Sequence, residues 1–386
     1  MLRSTLRVCL LWTFFGSALA CGEELKPVDL DPQLPYQAER SNPVTYEVDY
    51  SIIVTAPYKT KRLQVWLPLA SSDVGQDVEE RTLATFPMRV EPAIASETRF
   101  GNRFAYFEFK EPQGAQIIRQ QFRVTVWELR WNLDAEKLSE VKRWPAAFDR
   151  YRQGDSQGII VDARLESVLR EIVPRNGNGL RDLDKVLTWV NDNFEYDHAD
   201  ASLRADSTHG LQRRRGHCSD YHSFCAALGR AMGHPTRVTY GINTFPKSSP
   251  SHCKLEAYLP PYGWVSFDVS ETQKLTHELR KSPALSAEDK QVLSAAAHRR
   301  LIRGFRDNTW FAQTRGTDYD LVPKASGRVS VVRTIYAEAD GVPLPDPDPA
   351  NKEQTRFAWM TSQEFIPDRP VAYPFSDWNS LKSERD

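Results

Sequence analysis

The chain has 386 residues and a formal net charge of −1, from 50 lysines and arginines against 51 aspartates and glutamates. This length is enough for two or three domains with sizeable cores. The near-zero charge argues against a protein whose overall field attracts nucleic acid or an anionic membrane. Aromatic residues make up 11% of the chain, and charged residues are spread along it, which predicts a soluble globular protein.

Residues 1–20 have the pattern of a secretory signal peptide. Arg3 and Arg7 precede a short apolar run at 8–15, and small residues follow at 16–20. That run is too short to span a bilayer, so we expect an exported protein, periplasmic or attached to the cell envelope. Cys21 follows directly and is a candidate for lipidation, although the same residues also fit ordinary signal-peptide cleavage. A lipid anchor is the one membrane attachment that the sequence suggests.

The next two segments are predicted to be a linker and a β domain. Residues 21–42 are rich in proline and acidic residues and indicate a linker. Residues 43–132 alternate apolar and polar positions in short runs, separated by turn signals such as Gly101-Asn102. This pattern predicts an N-terminal β-sandwich. No charged constellation stands out in it, which favours a structural or substrate-positioning role.

A mixed α+β core is predicted over residues 145–275. Amphipathic patterns at 161–174 and 183–194 predict two helices, and a third begins at Cys218 and ends before Gly233 and Pro235. Alternating runs at 236–241, 251–259 and 264–268 then predict antiparallel strands. A helix followed by such strands indicates a helix packed on an antiparallel sheet.

Three residues of this core have the types needed for nucleophilic catalysis. Cys218 lies at a helix N-terminus, where unpaired N–H groups and the helix dipole lower the pKa of a thiol. His252 opens one strand and Asp268 ends the strand joined to it by a tight hairpin, so their side chains are expected to be neighbours. A thiolate, an imidazole and an orienting carboxylate form a catalytic triad. Singly, each residue fits a structural role equally well: a core cysteine, a surface histidine and a turn-capping aspartate.

The segments around these residues resemble the transglutaminase-like superfamily. Gly216-His-Cys218-Ser-Asp220 resembles its nucleophile motif, His252-Cys-Lys-Leu-Glu256 its histidine strand, and Gly263-Trp-Val-Ser-Phe-Asp268 its aspartate strand. The resemblance implies a papain-like core in which Cys218 is the nucleophile, His252 the base and acid, and Asp268 the orienting carboxylate. Two departures concern the substrate groove: Lys254 stands where the family commonly has tryptophan, and Asp268-Val-Ser-Glu271 replaces the usual Asp-Pro-Thr.

Other positions carry weaker expectations. In this fold a side-chain donor to the oxyanion hole usually comes from upstream of the nucleophile, and Tyr196 is our candidate, although a buried aromatic anchor fits it as well. Cys225 and Cys253 are the one pair considered for a disulfide, and Cys225 is otherwise assigned to the core. No cysteine or histidine spacing typical of zinc is present, so no metal or cofactor is predicted. Residues 276–386 are expected to form a helical and β extension without catalytic residues.

The leading functional prediction is an exported cysteine-dependent enzyme that acts on amide bonds through a thioester acyl-enzyme. Water resolving the thioester would make it a peptidase or amidase, and a lysine amine would make it a protein cross-linking enzyme. The fold alone does not choose between them. The alternative is a non-catalytic binding or scaffold protein of the envelope. The expected partner is a peptide or protein of the cell envelope, and no nucleic acid.

Overall fold

The computed structural model describes residues 30–174, 179–245 and 249–384. The predicted signal peptide and the lipidation candidate Cys21 lie outside these residues. Within the described segments, no helix has both the length and the apolar character needed to cross a membrane.

The chain runs from a strand-rich N-terminal region into a region where helices and strands mix. The strands are, in chain order, β1 (Glu39–Thr55), β2 (Arg62–Leu69), β3 (Gln76–Phe86), β4 (Ala93–Ser96), β5 (Arg103–Lys110), β6 (Ala115–Arg130), β7 (Glu195–Tyr196), β8 (Arg215–Gly216), β9 (Thr236–Asn243), β10 (Ser251–Tyr258), β11 (Trp264–Phe267), β12 (Phe305–Arg306), β13 (Trp310–Arg315), β14 (Tyr336–Ala339), β15 (Val342–Pro343) and β16 (Trp359–Pro367). The helices are α1 (Asp149–Arg152), α2 (Ala163–Ile172), α3 (Gly179–Asn193), α4 (Ser207–Arg213), α5 (Cys218–Ala231), α6 (Val269–Lys281) and α7 (Ala287–Arg303).

The N-terminal region forms two sheets that share one core. One sheet has the order β12-β6-β1-β16, with β3 also paired to β6, and the other has the order β15-β14-β2-β5-β4. Burial alternates along β1 and β6 because successive side chains point to opposite faces of a sheet. Val48 and Ile52 of the first sheet meet Val65 and Phe107 of the second in a shared apolar core.

Strands from the C-terminal region complete both of these sheets. β16 pairs with β1 over Tyr46–Val54, and β14 pairs with β2. The sandwich therefore extends beyond residues 43–132 and includes part of the segment 276–386 that was predicted as a separate extension. Pairing between strands some 300 residues apart leaves no local signal in the sequence.

Part of the predicted linker is packed against the mixed core. The Tyr36 hydroxyl donates a hydrogen bond to Glu256 at 2.6 Å, and the indole N–H of Trp264 donates to the carbonyl of Pro32 at 2.9 Å. Residues 30–38 are therefore held on the protein surface, and β1 begins directly after them.

The mixed core places α5 on a sheet of order β11-β10-β9-β13. Helix α5 is buried from Cys218 to Arg230, between this sheet and the helices α2, α3 and α4. Side-chain caps mark the start of two helices: Asp162 accepts hydrogen bonds from N–H groups in the first turn of α2, and Ser286 accepts one from the Asp289 N–H at the start of α7. The predicted α+β fold class is confirmed.

Candidate active site

A tight turn fixes Cys218 as the first residue of α5. Gly216 has a φ of +146°, and a Cβ on it would lie 2.3 Å from the carboxylate Oδ2 of Asp220. That carboxylate accepts a hydrogen bond from the His217 N–H at 3.1 Å, while Nδ1 of His217 accepts one from the Ser219 N–H at 3.2 Å. This reciprocal cap leaves the Cys218 thiol at the helix start, where the dipole favours a negative charge.

The end of β10 that carries His252 is held in place by its neighbour β9 and by a side chain of β13, the next strand of the sheet. His252 is paired with Gly241 of β9, and the indole N–H of Trp310 donates to the His252 carbonyl at 3.1 Å. A Cβ on Gly241 would lie 2.7 Å from the Trp310 ring and 2.0 Å from the carbonyl oxygen of Phe311. The glycine therefore allows the close approach of β13 that positions His252.

Asp268 joins the imidazole to the start of α6. Nε2 of His252 lies 2.8 Å from Oδ2 of Asp268, and Oδ1 of Asp268 accepts a hydrogen bond from the Glu271 N–H at 3.0 Å. The aspartate is thus both the helix cap of α6 and the partner of the imidazole, so the two interpretations made from the sequence are compatible. The structure brings together His252 and Asp268 as expected, with both side chains buried.

Cys218 and His252 are electrostatically coupled. Hydrogen bonding from the Cys253 thiol and the positive charge of His252 outweigh burial and hold the pKa of the Cys218 thiol well below its usual value. Burial disfavours the imidazolium, but the negative charges of Asp268 and Cys218 raise the pKa of His252 to about 9. Nδ1 of His252 has no hydrogen-bond partner within the described segments, and Oε1 of Glu271 lies 3.8 Å from it. Nδ1 is therefore the ring nitrogen available to Cys218. This arrangement favours a thiolate–imidazolium pair near neutral pH.

A second histidine and a second cysteine support this pair. The Val269 N–H donates to Nε2 of His222 at 3.1 Å, so the proton of neutral His222 lies on Nδ1, 3.5 Å from the sulfur of Cys253. Burial lowers the pKa of His222 to about 4 and, together with Cys218, raises the pKa of Cys253. Cys253 therefore remains a thiol that can donate to Cys218. The disulfide considered between Cys225 and Cys253 is not formed: both are free thiols.

Tyr196 lies beside Cys218, in a short strand that follows α3. Strand β7 pairs in parallel with β8, which places Tyr196 opposite Gly216. Burial, followed by the charge of Cys218, raises the pKa of Tyr196. Tyr196 lines the same cleft as Cys218, so it remains a candidate for the oxyanion hole.

A narrow cleft opens at the thiol. It includes residues from the start of α5, from the sheet and from the C-terminal region, among them Tyr196, His217, Cys218, Tyr240, Ser251 and Arg333. The C-terminal segment, in which the sequence indicated no catalytic residue, therefore contributes a wall of the site.

Comparison with known proteins identifies the family of this core. Residues 166–269 match the profile of the transglutaminase-like superfamily, and this segment contains Cys218, His252 and Asp268. This part of the chain belongs to the transglutaminase-like superfamily.

Similarity to individual proteins is more distant. A proposed cysteine protease from Cytophaga hutchinsonii shares the fold with a TM-score of 0.60 at 16% identity, over 89% of this chain and 98% of that one. The periplasmic domain of TgpA from Pseudomonas aeruginosa is 15% identical over 61% of this chain and 91% of its own, with a TM-score of 0.31. An uncharacterized protein of Haemophilus influenzae is 27% identical over 219 residues, which are 50% of this chain and 57% of that protein.

The transglutaminase-like site contains charged residues that the sequence did not reveal as neighbours. Nζ of Lys254, at the position where tryptophan was expected, lies 2.6 Å from Oδ2 of Asp268 and 2.8 Å from Asp307. Arg237 is buried, and its Nε lies 2.6 Å from Oε2 of Glu256. His222 had an available signal because it lies four residues after Cys218 on the same helix. Asp307 had none, since it is far away in the chain.

Proposed function

We propose that the protein is an exported cysteine hydrolase, a peptidase or amidase that cleaves an amide bond through a thioester acyl-enzyme. The observation that carries the proposal is the arrangement of one buried imidazole. Nε2 of His252 is bound to Asp268 at 2.8 Å, and its Nδ1 is left for the Cys218 thiol at the start of α5. The transglutaminase-like fold of this segment supports the same class of enzyme.

In the acylation step the Cys218 thiolate attacks the carbonyl carbon of the substrate amide. A C–S bond forms, and the carbonyl oxygen takes the negative charge, which the Cys218 backbone N–H and the Tyr196 hydroxyl are positioned to stabilise. The His252 imidazolium then transfers its Nδ1 proton to the leaving nitrogen. The C–N bond breaks, the amine departs, and a thioester and a neutral imidazole remain.

In the deacylation step His252 accepts a proton from water. The resulting hydroxide adds to the thioester carbonyl, the C–S bond breaks, and the thiolate–imidazolium pair is restored as the acid product leaves. Asp268 keeps the imidazole oriented and stabilises its charge in both steps. A lysine amine in place of water would give an isopeptide bond, so cross-linking is the outcome of the same site with a different acceptor.

Export and an envelope substrate belong to this proposal. They are supported by the signal-peptide pattern of residues 1–20 and rest on that pattern alone. A peptide or protein of the cell envelope is the substrate class accessible to such an enzyme, and Cys21 is the residue that would carry a lipid anchor.

The reactivity of Cys218 distinguishes an enzyme from a scaffold. Iodoacetamide is expected to label Cys218 much faster than a free thiol at pH 6, because its pKa lies well below the usual value. Cys225 is the internal control, since burial raises the pKa of its thiol and it should stay unlabelled in the folded protein. Peptide mass spectrometry measures both. If Cys218 reacts no faster than a free thiol and His252→Ala changes nothing, the enzyme proposal is wrong.

The pH dependence tests the ion pair. The raised pKa of His252, about 9, means that the imidazolium is present below that pH and is lost as the pH rises through it. Substrate cleavage requires the imidazolium proton, so kcat/KM is expected to fall above about pH 9.

A second experiment distinguishes hydrolysis from cross-linking. Envelope extract is incubated with the protein or with Cys218→Ala and then analysed by mass spectrometry. New cleavages are expected for a hydrolase, and new isopeptide links for a cross-linking enzyme.

A further inference from the structure

The cleft beside Cys218 contains a buried guanidinium whose donors are only partly used. Arg333 is 5% exposed and comes from the C-terminal segment. Its Nη2 donates to the carbonyl of Pro347 at 2.7 Å, whereas its Nε has no hydrogen-bond acceptor within the described residues. A buried donor without an acceptor is costly, so such a group in a cleft points to a ligand that supplies one.

The hydrogen bonding of His217 leaves a second nitrogen of Arg333 without an acceptor. Nη1 of Arg333 lies 3.4 Å from Nε2 of His217. Nδ1 of His217 already accepts from the Ser219 N–H, as part of the cap of α5. The proton of the neutral ring is therefore on Nε2, which cannot accept from a guanidinium. Burial lowers the pKa of His217 and favours this neutral form.

Tyr240 adds another donor to the same cleft. Its hydroxyl is buried and has no hydrogen-bond partner among the described residues. Tyr240 lies on β9 and lines the cleft together with Cys218 and Arg333. A ligand that enters the cleft can supply the acceptors that these side chains lack within the described residues.

The acidic groups near Arg333 leave its Nε without a hydrogen-bond acceptor among the described residues. Asp346 lies 3.9 Å from Nε of Arg333, beyond hydrogen-bond distance, and burial raises the pKa of its carboxyl group. Asp348 is paired with Nδ1 of His198 at 2.9 Å. The Asp346 contact is an ion pair without a hydrogen bond, and Asp348 is partnered by His198, so neither supplies the acceptor that Nε of Arg333 lacks.

We propose that Arg333 and Tyr240 bind a carboxylate of the substrate, next to the amide carbonyl that Cys218 attacks. This proposal rests on the proposed function and names its substrate class: an amide with a carboxylate close to the bond that is cleaved. The carboxylate belongs either to the C-terminus of a peptide or to an acidic side chain. Both offer the acceptor oxygens and the negative charge that a guanidinium binds most strongly.

Two small alkylating reagents test the carboxylate site without knowledge of the natural substrate. Iodoacetate and iodoacetamide attack the same thiolate, but only iodoacetate carries a carboxylate. The ratio of their rates at Cys218 therefore reports carboxylate binding, and it is insensitive to changes in the thiol itself. We expect Arg333→Gln to lower this ratio at least about tenfold, as expected for the loss of a hydrogen bond to a charged group.

Control variants show whether the change in the ratio of rates comes from Arg333 itself, and not from the charge of His252 or from misfolding. Arg328→Gln removes an exposed arginine that pairs with Asp320, and we expect it to leave the ratio unchanged. Arg333→Lys keeps the charge and should restore part of the ratio, and Tyr240→Phe should lower it less than Arg333→Gln does. An unchanged ratio in Arg333→Gln, or an equal fall in Arg328→Gln, overturns the proposal.

The outcomes distinguish this proposal from the proposed function. Slow labelling of Cys218 by both reagents in the unsubstituted protein would contradict the enzyme itself. Fast labelling by iodoacetamide, together with a ratio of rates that does not change in Arg333→Gln, would contradict only the carboxylate site.

Protection experiments identify the source of the carboxylate. Peptides with a free or an amidated C-terminus, and peptides with glutamate or glutamine, are tested for slowing the iodoacetamide reaction at Cys218. In one of the two pairs, we expect the peptide that carries the carboxylate to protect Cys218 more strongly than the matching amide. We expect this difference to disappear in Arg333→Gln. Equal protection by acid and amide in both pairs would overturn the proposal.

Discussion

At the scale of single residues, the carboxylate of Asp268 has more partners than a triad requires. Its Oδ2 is shared by Nε2 of His252 and Nζ of Lys254. Lys254 also pairs with Asp307, so one buried cation lies between two buried carboxylates. Although burial acts in the opposite direction, Lys254 and His252 hold the pKa of Asp268 well below its usual value. The lysine keeps the orienting carboxylate ionised.

Removing the cation from this cluster is expected to destabilise the protein. Lys254→Met leaves Asp307 without its cation and Asp268 with His252 as its remaining cationic partner, which should lower the free energy of unfolding by about 3 kcal/mol. The double variant with Asp307→Asn removes one of those charges and should recover at least about 1 kcal/mol, because neighbouring charges are not additive. Urea unfolding of the single and double variants measures both values. Simple additivity of the two substitutions would show that the charges are not coupled.

At the scale of elements, the end of β10 is positioned by the strands beside it. β9 lies between β10 and β13, and Gly241 is paired with His252 of β10 and with Ala312 of β13. The Trp310 side chain of β13 packs against this glycine, and its indole N–H donates a hydrogen bond to the carbonyl of His252. The position of the imidazole therefore depends on the absence of a side chain on the neighbouring strand.

Adding a single methyl group at this glycine should be poorly tolerated. Gly241→Ala places a Cβ 2.0 Å from a backbone oxygen of β13, and paired strands cannot separate without losing hydrogen bonds. We expect the free energy of unfolding to fall by about 3 kcal/mol, with slower labelling of Cys218. Gly327→Ala is the matched control, because a Cβ there has no heavy atom within 4 Å. Equal unfolding curves for the two variants would contradict this account.

At the scale of the whole molecule, the N-terminal sandwich and the C-terminal segment fold as one structure. β16 covers one edge of β1, and β14 covers one edge of β2. Trp359 and Ile335, both from the C-terminal half, fill the core between the sheets. The same C-terminal segment places Arg333 in the cleft. The strand pairing that completes the sandwich therefore also positions a residue that lines the cleft.

The N-terminal strands are accordingly not expected to fold alone. A fragment of residues 30–132 would expose two strand edges and the apolar surface that Trp359 and Ile335 cover. We expect this fragment to show no cooperative unfolding by circular dichroism, whereas the chain of residues 30–384 should unfold cooperatively. A cooperative transition in the fragment would instead establish residues 43–132 as an independent domain.

The sequence alone determined the core elements and the candidate triad. Periodicity and turns are local, so α2, α5 and the strands around His252 were predictable from their own residues. The tight hairpin also predicted that His252 and Asp268 are neighbours, and their side chains lie 2.8 Å apart. Cys218 at the helix start stays the predicted nucleophile.

Only the tertiary structure decided which distant residues complete the site. Lys254 with Asp307, Trp310 under Gly241, and Arg333 in the cleft are contacts between segments far apart in the chain. Such contacts depend on how sheets and loops pack, and no spacing in the sequence encodes them. The sequence therefore predicted which chemistry the core can perform, while the tertiary structure decided how its charges are balanced and which distant side chains line the cleft.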